Sequence, residues 1–356
     1  MSRRGHRRGP RIALLGVALT LLGGAFAVSP LYVPGVALIA LAVGAEAGVG
    51  IAARFGRVTL ELGAAHVEEG RPAALAVRAG GWPFALSRGE LEPLPGAVPR
   101  PVSPRGIVHE LALRPARRGE HAVGPAVVRF GDPFGICRRE IYSSTAQLLV
   151  LPRVERIRRE QLERALGLGR ARALLDDGPD VEGLRPYRPG APAARIHWLT
   201  VARVGQLVER RAERDADDMP FMVVLDPGAA DSAEALDKAV RAAASLVVGI
   251  AGLGGGCSLL LPGAQEAQAL RADLASWPYL HARLATVSAG ARPVWGVAER
   301  ARSVIWVGAR RPAEDRAGAG VVCCTVSPLP RGDRRALFEV AGCAVQPAGR
   351  AAASAA

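Results

Sequence analysis

The strongest constraint on this chain lies near its start. Ile12 to Val28 carries no charge, and after the Ser29-Pro30 break a second apolar run, Val33 to Ala53, carries only Glu46. The first run sits at the lower limit for a helix that crosses a bilayer, and the second is within the range. Five arginines (Arg3, Arg4, Arg7, Arg8 and Arg11) precede the first run, Arg54 and Arg57 follow the second, and the link between them has no base. Basic flanks stay on the cytoplasmic side. The pattern therefore predicts a basic cytoplasmic tail over 1–11 and a two-helix transmembrane hairpin over 12–54 in contact with membrane lipid. This is a multi-pass arrangement that leaves the main soluble domains in the cytoplasm. A cleaved secretory signal is the competing reading, because Ala25-Phe26-Ala27 offers a small-x-small cleavage site. The second apolar segment that follows at once weighs against it. Glu46 is expected to reach for the interface at the inner end of the second span.

The rest of the chain is long enough for a sizeable core, since 356 residues allow two or three domains. The net charge of +13 is not a nucleic-acid signature. Beyond the tail the bases are scattered among acids, as in Glu209-Arg210-Arg211-Ala212-Glu213-Arg214, without a patch lined by stacking aromatics. Lys238 is the single lysine among 46 basic residues, so an isolated arginine carries little functional weight. The five cysteines form no CxxC pair, which argues for buried thiols in a reducing compartment. Cys323 and Cys324 are adjacent in an apolar run and are expected on opposite faces of one strand.

From residue 55 the period shortens. Runs at 58–62, 73–78, 107–113 and 126–130, separated by Gly and Pro clusters, predict an antiparallel β-sandwich over 55–152 with a long exposed loop near Pro101 to Gly106. A charged stretch, Arg153 to Leu175, reads as a linker helix. It opens a segment over 153–218 that also holds the arginine-aromatic motif described below. From 219 to 348 apolar strands at 221–225, 257–261, 303–307, 321–325 and 343–345 alternate with helices at 232–250, 264–274, 279–285 and 334–340. Such alternation gives a mainly parallel, doubly wound sheet. Residues 349–356 read as a disordered tail. The fold class is thus α/β plus all-β.

Three groups of residues have the look of chemistry without its context. Gly252 to Gly256 follows a helix and precedes a strand, the reverse of a phosphate-binding loop. The six histidines have no paired metal spacing, and His197 beside Trp198 is expected to be packed rather than catalytic. No G-x-S-x-G is present.

Residues 184–203 carry a linked motif: Leu184-Arg185-x-Tyr187-x-Pro189-Gly190, then Arg195-x-x-Trp198, then Ala202-Arg203. Upstream stand Arg118-Gly119-Glu120, Gly124-Pro125, Asp132-Pro133-Phe134-Gly135 and Val150-Leu151-Pro152. In this order the motifs resemble the domain of unknown function 58 family over roughly residues 12–310. The sequence departs from the family pattern where Gly190-Ala191-Pro192 replaces acidic positions and Val181 replaces a phenylalanine. The resemblance implies a von Willebrand factor A-like domain over 219–348. It also implies partners: a MoxR-type AAA ATPase and a transglutaminase-like membrane protein. Domains of that kind often bind magnesium through Asp-x-Ser-x-Ser, whereas here the segment reads Asp226-Pro227-Gly228-Ala229-Ala230. One carboxylate does not make an octahedral site, so a degenerate site at Asp226 without metal or other cofactor is expected.

Arg185, Tyr187, Gly190, Arg195, Trp198 and Arg203 are the candidate binding residues. Arginines stack on aromatic faces and pair with acids, so the group suits either a polar cluster fixing neighbouring segments or a surface for a partner. Without a base or nucleophile it has no means of catalysis. The expectation is a bacterial membrane-anchored, non-catalytic adaptor or scaffold that works with the ATPase in assembly or maturation of a protein complex. A surface-exposed adhesin-like binding module is the alternative, and a hydrolytic enzyme a more distant one.

Overall fold

The computed structural model describes residues 8–26, 28–83, 87–166, 184–186, 196–210, 221–228, 230–253, 257–290, 292–294, 296, 303–309, 321–326 and 336–346. It divides into two compact units: 1–116 with 120–150, and 117–119 with 151–356.

The first unit begins with two apolar helices, α1 (Gly9–Ala25) and α2 (Tyr32–Phe55), joined through a short 3₁₀ turn at Ser29–Leu31. Together with that turn, α2 is the one described helix long and apolar enough to cross a membrane, with a mean hydropathy of 2.1; α1 is apolar but shorter. The helices meet along small residues spaced by seven. Gly9, Gly16 and Gly23 are buried on α1, and Gly35, Ala42 and Val49 on α2. A Cβ on Gly16 would lie 2.7 Å from the Gly35 carbonyl oxygen and 2.8 Å from Ile39 Cγ1. Only glycine permits this backbone approach, the usual way apolar helices pack where no hydrophobic drive separates them from lipid. A seven-residue period keeps one seam in register along both helices.

Ten strands follow: β1 (Arg57–Leu62), β2 (His66–Glu68), β3 (Ala73–Gly80), β4 (Arg88–Glu92), β5 (Arg100–Val102), β6 (Ile107–Leu113), β7 (Gly119–Val123), β8 (Val127–Gly131), β9 (Arg138–Tyr142) and β10 (Ala146–Leu151). They form sheets of order β1-β3-β6, β2-β10-β7 and β5-β4-β8-β9. The first and last of these are antiparallel throughout. Strand β3 alternates buried residues with exposed or half-buried ones along its whole length, as a sheet with one face on a core must. The core gathers Leu75, Val77, Leu91, Val128, Phe130, Leu148 and Val150, with Trp82 set edge-on to Phe130 at 4.9 Å. It also takes in Val49 and Ala52 from the last turns of α2. The stretch expected to be a loop around Pro101 contains β5, where Pro101 faces Glu90 on an edge strand. An edge is where a residue lacking an N–H does least harm.

In the second unit the linker helix is shorter than its sequence suggests. Residues 152–158 are not helical, and α3 covers only Arg159–Ala165. The cause is side-chain pairing. Glu155 N–H donates to Ser245 Oγ (2.9 Å), Glu155 Oε2 accepts from Ala341 N–H (2.8 Å), and Val154 and Ile157 pack on the core. Next come β11 (Leu184–Pro186), α4 (Trp198–Val204) and β12 (Val208–Arg210), with β11 antiparallel to β12.

The remaining elements are β13 (Phe221–Asp226), α5 (Ala233–Gly252), β14 (Cys257–Leu260), β15 (Gln268–Leu270), α6 (Trp277–Ala285), β16 (Ser303–Gly308), β17 (Val321–Val326), β18 (Phe338–Val340) and β19 (Cys343–Gln346). Their seven strands lie in the order β15-β14-β13-β16-β17-β19-β18. The inner four are mutually parallel, and the outer strands join antiparallel. Two expected helices are strands here: β15 lies within 264–274 and β18 within 334–340. Helix α5 starts at Ser232, whose side chain accepts from Ala235 N–H at 3.1 Å. Its alanines 239, 242, 243 and 244 are fully buried with Val240, Val247 and Ile250, which lets the helix lie close on the sheet. Cys323 and Cys324 enter separate apolar clusters, as expected of neighbours on a strand.

Candidate functional site

The arginine-aromatic motif falls on the small β11–α4–β12 assembly. Backbone pairing sets Arg185 opposite Glu209 and Pro186 opposite Val208. His197 N–H donates to the Val208 carbonyl (2.8 Å), which ties the start of α4 to β12. The His197 ring Nδ1 lies 2.8 Å from Thr200 Oγ1, so the imidazole braces the first turn. Gly205 ends the helix in the left-handed conformation with φ 72°, and its N–H returns to the Val201 carbonyl. Tyr187, Gly190 and Arg195 lie outside the described residues.

Trp198 is 63% exposed, and Arg203 is exposed in the last turn of α4. Leu199, Val204 and Leu207 are exposed as well. A seven-residue helix thus turns a tryptophan, two aliphatics and an arginine outward. Tryptophan and arginine are the side chains that most often dominate binding energy.

Asp226 ends β13. Its Oδ1 accepts from Gly228 N–H at 3.0 Å, closing a turn on itself. A Cβ on Gly228 would sit 3.1 Å from that oxygen and 3.0 Å from Arg292 Cγ, so an arginine stem fills the space beside the turn. Among the described residues no group of three His, Cys, Asp or Glu side chains could hold a metal ion. Ser232, a conceivable oxygen donor, is committed to capping α5.

A buried ionic node also lies in the second unit, and its chemistry was not evident from the sequence. Arg118 is 4% exposed at its side chain and pairs with Asp237 of α5 at 2.9 Å. Its Nη1 donates toward the carbonyl oxygens of Leu284 (3.0 Å), Ala285 (3.0 Å) and Val287 (2.9 Å). Those carbonyls close α6, where helical partners run out and a cation is favoured. His281 on the same helix is buried, with Nε2 2.7 Å from the Pro152 carbonyl and its ring stacked on Trp277 at 4.5 Å.

A third group lies in the first unit, at the base of the two apolar helices. Glu46 of α2 pairs with Arg139 of β9 at 3.5 Å. The Cys137 thiol hydrogen-bonds Glu46; burial first, then that bond and the carboxylate charge, push it up to about 11. The Arg139 guanidinium covers Gly50, where a Cβ would stand 3.4 Å from Nη1. Arg8 N–H donates to the Ile136 carbonyl (3.1 Å), and Gly9 faces Glu46, so α1 starts at this same level. Burial raises the Cys257 thiol to about 12, and a hydrogen bond to Cys343, then burial, holds Cys324 well above its ordinary range. No family model matches the chain, and no curated protein matches it either.

Proposed function

We propose that this chain is a membrane-anchored, non-catalytic adaptor. The two apolar helices insert as a hairpin from the cytoplasmic face of a bacterial cell membrane, and the β domain, a sandwich in this reading, stays outside the lipid. The exposed face of α4, with Trp198, Leu199, Arg203 and Val204, contacts a protein partner, and this exposure is the observation that carries the proposal. The resemblance of the surrounding motif makes a MoxR-type AAA ATPase the expected partner and a transglutaminase-like membrane protein a further one. A role in assembly or maturation of a protein complex then follows. The parallel inner strands of the seven-stranded sheet favour a von Willebrand A-like second domain. The self-closed turn at Asp226 favours a version that works without metal.

Crosslinked co-purification from native membranes tests this. The wild type should recover an AAA ATPase. A Trp198→Ala/Arg203→Ala variant, verified as folded by circular dichroism, should lose it. Equal recovery with both would remove α4 from the contact, and recovery with neither would remove the ATPase from the proposal.

A further inference from the structure

The base of the two apolar helices sets how deeply they can enter a membrane. Helix α2 has 24 residues, but Val49 and Ala52 are buried in the core of the β domain, and Glu46 is held by Arg139. The segment free to meet lipid therefore runs from Tyr32 to Ala45, which at ~1.5 Å per residue rises about 21 Å. Helix α1 begins at Gly9, against Glu46 and Ile136, and its 17 residues rise about 25 Å. The hydrocarbon layer is about 30 Å thick, and a crossing helix needs roughly 20 residues.

The tip has the composition of a segment that stays in lipid. From Ile12 to Ala45 there is no charged residue. Phe26 (72% exposed), Val28, Pro30 and Val33 (75% exposed) surround the turn. Three backbone bonds also close the turn: Phe26 N–H donates to Leu22 O, Val28 N–H to Gly23 O, and Leu31 N–H to Val28 O. Unpaired polar backbone is what ordinarily bars a loop from hydrocarbon. The one polar side chain on the inner part of α1, Thr20, donates to the Gly16 carbonyl at 2.8 Å.

We propose that the hairpin is re-entrant: it enters from the side of the β domain and ends within the bilayer, without its tip reaching water on the far side. The Glu46–Arg139 pair and the α2–core contact fix this depth. The inference rests on the hairpin being the membrane anchor, and the test separates the two.

The test uses the full-length chain in sealed dioleoylphosphatidylcholine vesicles with two single substitutions, Ser29→Cys at the tip and Ser103→Cys on the β domain. The five native thiols are buried and serve as the unreacted background. A membrane-impermeant maleimide is applied outside, or trapped inside. Ser103→Cys should label from one face and thereby mark the side of the β domain. Ser29→Cys should label from neither face, and fully once detergent is added. In vesicles of shorter-chain dimyristoleoyl lipid the tip should emerge and label from the face opposite Ser103→Cys. Labelling of Ser29→Cys from that opposite face in dioleoyl vesicles would mean a true crossing and overturn the inference. Protection that persists in the shorter lipid would also overturn it, since lipid would not be what covers the tip. Labelling of both residues from the same face would sink the membrane-anchor reading itself.

Discussion

At the scale of single residues, the chain spends its few buried charges on holding elements in place. Arg118 is the clearest instance. Its guanidinium neutralises Asp237 and at the same time satisfies the carbonyls that end α6. Removing one partner of a buried pair leaves the other uncompensated, which typically costs about 3–5 kcal/mol. Arg117 also lies 3.6 Å from Asp237 and remains in the variant, so Arg118→Ala is expected to lower the unfolding free energy by less than that amount in urea titration. Arg118→Met with Asp237→Leu should cost less than the single change, because neither charge is stranded. A double variant no better than the single one would show that the carbonyl contacts, rather than the ion pair, dominate. Glu46 illustrates the same rule in the first unit, where Arg139 and the Cys137 thiol share its carboxylate.

At the scale of elements, close packing decides more than propensity does. The glycine seam between α1 and α2 leaves no room for a side chain. Gly16→Ile should overpack it by about 1–3 kcal/mol, read as a lower temperature for loss of helical circular dichroism in nanodiscs. Gly44→Ile, at a position with nothing within 4 Å, should leave that temperature unchanged. The glycines at 9, 16 and 23 stand in the sequence at seven-residue spacing, but a reading by charge and apolar content assigns Gly9 to the basic tail and does not single them out as a seam. The strands β1, β3, β6 and β8 were legible, because their alternation faces one core. Strand β15 was not: Ala264 to Leu274 has helix-favouring composition, and only pairing with β14, Cys257 opposite Leu270, makes it a strand. The same holds for β18, set by Val340 opposite Cys343, and for the non-helical start of the linker, set by Glu155. For the candidate site, the residue types of α4 were readable, but their exposure was not. A Trp-Leu-x-Val pattern suits a buried helix face as well as an outward one.

At the scale of the whole molecule, two attachments to a membrane are in competition, one electrostatic and one apolar. The net charge of +13 would draw the chain to anionic lipid, and salt would screen that attraction. The exposed Leu14, Leu15, Leu21, Phe26, Val33 and Val36 offer an apolar attachment that salt does not screen. Washing native membranes with about 1 M sodium chloride, where screening acts within about 3 Å, is expected to leave the protein in the pellet. Detergent should then release it, and release by salt alone would assign the attachment to charge. The pairing of Glu46 with Arg139 also has a consequence in time. Translation reaches Arg139 roughly 90 residues after Glu46, which at about 5–20 residues per second is a wait of some 5–20 s. For that interval the carboxylate has no arginine to pair with. Under the proposed insertion, the depth of the hairpin is thus chosen while the ribosome is still working, by the carboxylate's own preference for water, and the folded β domain later makes that choice permanent.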